Sequence, residues 1–129
     1  MMLCLATGTK VLAFAVSTFT LSWTHSVQRT EWWERWEVTE AGIRPVEARV
    51  TSSGAGMEAP EGAVEEADGW HYVPHLPPQH QVFLGASGAT VGGWTLCAGD
   101  SCQVVGATAG APLALWSDKD CSHPPETRP

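Results

Sequence analysis

The segment Phe19-Thr-Leu-Ser-Trp-Thr-His-Ser-Val27 alternates strictly, with apolar or aromatic residues (and His25) at odd positions and Thr or Ser at even ones. Successive strand side chains point to opposite sides, so a period of two marks a strand with one buried face. Phe19, Leu21, Trp23, His25 and Val27 are expected on that inward face, and His25 is its odd member. The next run, Glu31 to Val38, fits a helix through Trp32, Trp33 and Trp36 and a strand through Trp32, Trp36 and Val38. The strand preference of Thr and Trp, with the short connection Gln28 to Glu31, favours a hairpin. The register expected sets Val27 opposite Trp32, Trp23 opposite Trp36, Leu21 opposite Val38, and His25 opposite Glu34.

The rest of the chain reads as short strands and turns. Met1 to Val16 is apolar, but it lacks a basic start and Lys10 interrupts it just after Gly8. Val11 to Val16 is shorter than a signal-peptide core or a membrane span, so two strands around Gly8 and no targeting segment are expected. Ile43 to Thr51 alternates again, and Pro45 places it at a sheet edge or near a strand end. Ser52 to Gly69 reads as a long loop. Trp70–Val73, Gln81–Leu84, Val91–Cys97, Cys102–Val105 and Pro112–Trp116 read as further strands. With 129 residues, 13 Gly and 9 Pro, one core and many turns follow. The expected fold is all-β, a small antiparallel β-sandwich or partly open barrel of about eight to ten short strands. Residues 1–116 form the single domain and 117–129 a flexible tail.

Charge excludes one class of partner. The net charge is −7 and no basic stripe is present, so a nucleic-acid surface is not expected. The acidic excess serves solubility or meets a basic patch on a partner. No nucleophile elbow and no Gly-rich phosphate loop occur, so no cofactor and no catalytic residue is assigned.

Cys97 and Cys102 flank Ala-Gly-Asp-Ser, a turn that sets them opposite each other in a hairpin. A disulfide there would hold the Cα atoms about 4.4–6.8 Å apart and require an oxidising compartment. Free thiols are the competing reading, and a lone Cys-x4-Cys lacks the ligands of a metal site. Cys4 and Cys121 have no local partner, and Asp118, Asp120, Cys121 and His123 read as a solvated end.

His25, Ser26 and Glu34 are the polar candidates on the first hairpin. Adjacent strand residues face opposite ways, so Ser26 does not meet His25 and no Ser–His dyad is expected. A buried His25–Glu34 pair, in which the carboxylate orients the imidazole, is expected instead. On an otherwise apolar face such a pair points to recognition, with acid/base catalysis as the alternative. Arg49 joins the candidate binding set, as do Gly54, Ala55, Gly56 and Met57, whose loop amides suit a carboxylate.

Thr-His25-Ser26-Val, Trp33-Glu34-Arg-Trp36 and Ser53-Gly54-Ala55-Gly56-Met57 follow one another in this order. The succession resembles the domain-of-unknown-function 1850 family of small bacterial proteins, over roughly Leu3 to Trp116 with the Trp94-Thr-Leu-Cys97 hairpin included. Gln28 stands where that family often has Glu. The resemblance implies gene neighbourhoods with tripartite (TRAP) solute transporters of the TAXI class, and a periplasmic or membrane-associated location. The chain as it starts here, without an export signal, would instead be cytoplasmic. The expected function is a non-enzymatic accessory or binding module with TRAP transporter subunits as partners. The alternative is a small hydrolase or acid/base enzyme using His25 and Glu34.

Overall fold

The computed structural model describes residues 1–8, 10–25, 30–51, 62–66, 69–86 and 91–121, and for His25, Glu66, Val91 and Gly92 the backbone alone. The alternating segments form strands: β1 (Met2–Thr7), β2 (Lys10–Phe14), β3 (Thr18–His25), β4 (Thr30–Thr39), β5 (Gly42–Thr51) and β6 (Val64–Glu66). β7 (Gly69–Tyr72), β8 (Gln81–Leu84), β9 (Val91–Ala98), β10 (Ser101–Val105) and β11 (Leu113–Asp118) complete the set. All pairings are antiparallel, in a four-stranded sheet ordered β2-β1-β11-β8 and a seven-stranded sheet ordered β10-β9-β3-β4-β5-β7-β6. The all-β expectation holds, with eleven described strands where about eight to ten were expected, and among the described residues neither sheet closes into a barrel.

Phe19, Leu21 and Trp23 of β3 face the core, as their alternation requires. Phe19 and Leu21 join Leu3, Leu5, Leu113 and Leu115 in one buried cluster, completed by Trp36, Val38, Ile43 and Leu96. Each such side chain contributes about 1.5–3 kcal/mol by leaving water. The Ser117 hydroxyl also ties the sheets, donating to the Thr39 carbonyl at 2.8 Å.

β4 is a strand, not a helix, but the β3–β4 register differs from the one expected. Phe19 faces Trp36, Leu21 faces Glu34, Trp23 faces Trp32 and His25 faces Thr30. The slip is four residues, an even number. It keeps the described side chains on their expected face and changes their partners, while Val27, expected opposite Trp32, lies outside the described residues. β3 ends at His25 and β4 begins at Thr30, so the change of strand falls earlier than Gln28 to Glu31.

Pro45 sits where a missing donor costs least. The β4–β5 register shifts between Arg35 and Trp36, leaving Val46 as an extra residue, while β7 pairs only with Ala48 to Val50. Gly42, at φ 134°, turns the chain from β4 into β5. Ile43 and Gln79 exchange backbone hydrogen bonds there, and any Cβ on Gly42 would strike the Gln79 carbonyl.

Two further expectations are corrected. The stretch read as a long loop carries β6, which pairs with β7 through Val64↔His71; its acidic sequence hides a strand that lies at a sheet edge. The polar residues from Ser117 do not fray at once. β11 runs to Asp118, and Cys121 is buried and bonded to Cys4, with Cα atoms 5.5 Å apart. A partner 117 residues away supplied what local polarity did not reveal. Cys97 and Cys102, for which a bridge and free thiols were both open, are bridged, at a Cα separation of 4.0 Å that lies below the range given above. The reason is that they are direct cross-strand partners, with Ala98 and Ser101 paired between them and the Gly99-Asp100 turn.

Candidate functional site

Odd residues of β4 turn away from the core, and Trp33 among them is an aromatic on the polar face. Its cross-strand neighbours are Ser22 on β3 and Arg49 on β5. The row continues to Thr95 beyond Ser22 and to His71 beyond Arg49. The Arg49 guanidinium carbon lies 4.8 Å from the Trp33 ring centroid. A cation so placed is attracted by the ring quadrupole, by about 0.5–1 kcal/mol where water still reaches it.

One step along the sheet, Thr24, Glu31 and Thr51 form the next row. Apart from His71, the two rows line a groove of about 390 Å³. Its wall offers hydroxyls, a carboxylate, an indole face and a planar guanidinium, the inventory of a polar recognition site. Further along the same face, Arg35 pairs with Glu47 at 3.0 Å and Arg44 with Glu37 at 3.1 Å. Both pairs are exposed, so they contribute little to stability.

Glu34 lies on the opposite face, between Leu21 and Ala48, with Tyr72 next in the row beyond Ala48. The Trp36 indole donates to its Oε1 at 3.2 Å. Burial pushes the Glu34 carboxyl above its ordinary value of 4.5, against the opposing pull of that hydrogen bond. Burial, then the Glu34 charge, raises the Tyr72 phenol as well. The row beside them is aromatic: Trp23 stacks on Trp32 at 6.0 Å and meets Trp94 at 4.7 Å.

A carboxyl whose pKa is raised on folding binds more protons in the folded state. Its contribution is fully present below pH 4.5 and lost as pH rises through the raised folded value. Glu34→Gln should therefore flatten the decline in stability above pH 4.5 and leave the protein no less stable at pH 7. Urea midpoints measured across pH check this; a variant that declines as the wild type does would refute it.

The sequence-predicted residues divide as follows. His25 and Glu34 are not cross-strand partners; their Cα positions are offset by four residues, about 13 Å of strand. The expected pair came from a register slipped by that amount. Glu34 and Arg49 lie on opposite faces and do not converge. Ser26 and the Gly54, Ala55, Gly56 and Met57 loop lie outside the described residues. Asp118 and Asp120 form no metal-binding group with other described residues. Trp33, Ser22, Thr95 and Tyr72 were missed, although Trp33 could have been found as the aromatic out of phase with Trp32 and Trp36.

A family model, Domain of unknown function (DUF1850), matches residues 19–104 of the 129. The chain belongs to the DUF1850 family. The matched span is narrower than the resemblance suggested: it holds the groove, Glu34 and the strands of the seven-stranded sheet, up to the penultimate residue of β10. β1, β2 and β11, three of the four strands of the smaller sheet, fall outside it. Comparison with curated proteins and with solved structures gave no match to this DUF1850 chain.

Proposed function

We propose that this DUF1850 domain is a non-enzymatic binding module, an accessory partner of a TAXI-class TRAP solute transporter, which recognises its partner or solute through the groove around Trp33 and Arg49. The observation that carries this reading is the Arg49 guanidinium laid over Trp33 in a hydroxyl-lined groove on the sheet that the family model spans. Tryptophan and arginine are the side chains that most often dominate recognition surfaces. The transporter class comes from the sequence resemblance. The two disulfides support a location in an oxidising compartment, where such a transporter meets its solute.

Co-purification tests the reading. The tagged domain, expressed in a host that also makes TAXI-class TRAP subunits, should retain those subunits and not the subunits of an unrelated transporter. Equal retention of both, or of neither, would refute it. The raised Glu34 carboxyl beside Tyr72 favours a second reading, acid/base catalysis. That reading lacks a direct His25–Glu34 opposition, because His25 pairs with Thr30 and Glu34 with Leu21.

A further inference from the structure

The two disulfides occupy opposite settings. Cys4 and Cys121 are 0% and 6% exposed. Cys102 is exposed on β10, an edge strand of the seven-stranded sheet, and Cys97 is half-buried on β9. The pair stands one step from a two-residue turn, the non-hydrogen-bonded position where facing side chains come closest. Nothing in the hairpin depends on the bridge to hold the strands together. β9 and β10 stay paired as far as Trp94 and Val105, and Gly99 makes the turn at φ 61°. The ring it closes spans a sequence separation of 5, against 117 for Cys4–Cys121.

A bond that is exposed, on an open edge and dispensable to its hairpin is suited to chemistry rather than to holding the fold. We propose that Cys97–Cys102 is a thiol–disulfide exchange site served by an external dithiol oxidoreductase, while Cys4–Cys121 stays closed. The partner's thiolate attacks Sγ of Cys102, the more exposed residue of the pair. The Cys97–Cys102 bond breaks, a mixed disulfide forms on Cys102, and Cys97 leaves as a thiolate that takes up a proton. The partner's second thiol then attacks its own sulfur in the mixed disulfide and releases Cys102, which is protonated in turn. Two electrons and two protons pass to the protein, and the partner departs as a disulfide.

The unpaired edge of β10 among the described residues lets an extended partner segment lie alongside Cys102. Cys97 also shares its sheet face with Thr95, two residues away on β9, which lines the groove. The exchange site stands whether or not the groove binds a transporter subunit.

The test uses the intact, oxidised protein. Dithiothreitol is added in steps, free thiols are trapped with iodoacetamide, and each cysteine is followed by peptide mass. Cys97 and Cys102 should be labelled at least roughly tenfold faster than Cys4 and Cys121, since access limits exchange. Tryptophan fluorescence should stay native over that first phase. Equal labelling rates, or unfolding with the first reduction, would overturn the proposal. A thioredoxin-type protein lacking its resolving cysteine serves as the second probe. It should be trapped as a mixed disulfide on Cys102; no adduct, or one on Cys4 or Cys121, would overturn the enzymatic step.

Discussion

Replacing Cys4 and Cys121 together by alanine should cost the DUF1850 domain on the order of 5 kcal/mol, the loop-closure entropy of a cross-link this long. The bridge joins residues 117 apart, fastening β1 to the chain just past β11. Single domains hold only about 5–15 kcal/mol in total, so a loss of this size removes much of the stability. Both half-cystines are buried beside Trp116 and Ala114 on the outer side of the smaller sheet. Alanine avoids burying a hydroxyl there, so the comparison isolates the cross-link. The matching Cys97→Ala and Cys102→Ala pair closes a far shorter ring and should cost only about 2 kcal/mol. Urea unfolding of the two double variants against wild type measures both losses. A loss below about 1 kcal/mol on opening Cys4–Cys121 would show that sheet packing alone closes the fold.

The second large effect belongs to Phe19. It is 2% exposed and stacks on Trp36 at 5.9 Å, at the centre of the cluster joining the sheets. Phe19→Ala should destabilise by about 3–5 kcal/mol, as lost transfer energy plus the cavity left behind. A double-mutant cycle with Trp36→Ala should show a coupling of about 0.5–1.5 kcal/mol, the added strength of an aromatic pair. The same cycle between Trp23 and Trp36 should show almost none, because Trp23 faces Trp32. Strong Trp23–Trp36 coupling with a silent Phe19–Trp36 pair would restore the register that alternation alone suggested.

That contrast shows what sequence could and could not fix. Alternation from Phe19 to Val27 sets which side each residue faces, and the structure keeps those sides where it describes them. Alternation does not set the offset between strands. An offset wrong by four residues satisfies the same pattern, and only where β3 ends and β4 begins separates the two. The candidate pair His25–Glu34 rested on the offset, so it failed while the strands beneath it held. Short strands such as β8 and β11 were legible because apolar runs bounded by turn residues mark them. β6 was not, since it is a three-residue edge strand in which Val64 and Glu65 are exposed and show no pattern. Cys4–Cys121 needed the knowledge that β1 lies beside β11. The groove needed two registers and the shift at Val46, which together carry Arg49 across to Trp33.

The central claim is that recognition lives on the Trp33–Arg49 face and not on the Glu34 face. The direct measurement is the affinity of purified TAXI-class TRAP transporter subunits for Trp33→Ala, Arg49→Gln and Glu34→Gln, each first shown to be folded by its unfolding transition. A groove that carries the interaction predicts at least about tenfold weaker binding for the Trp33 and Arg49 variants, the loss usual when a tryptophan or arginine anchor is removed. Glu34→Gln should bind as the wild type does. Wild-type affinity in both groove variants, with binding lost in Glu34→Gln, would contradict the account and move the site to the other face of the sheet.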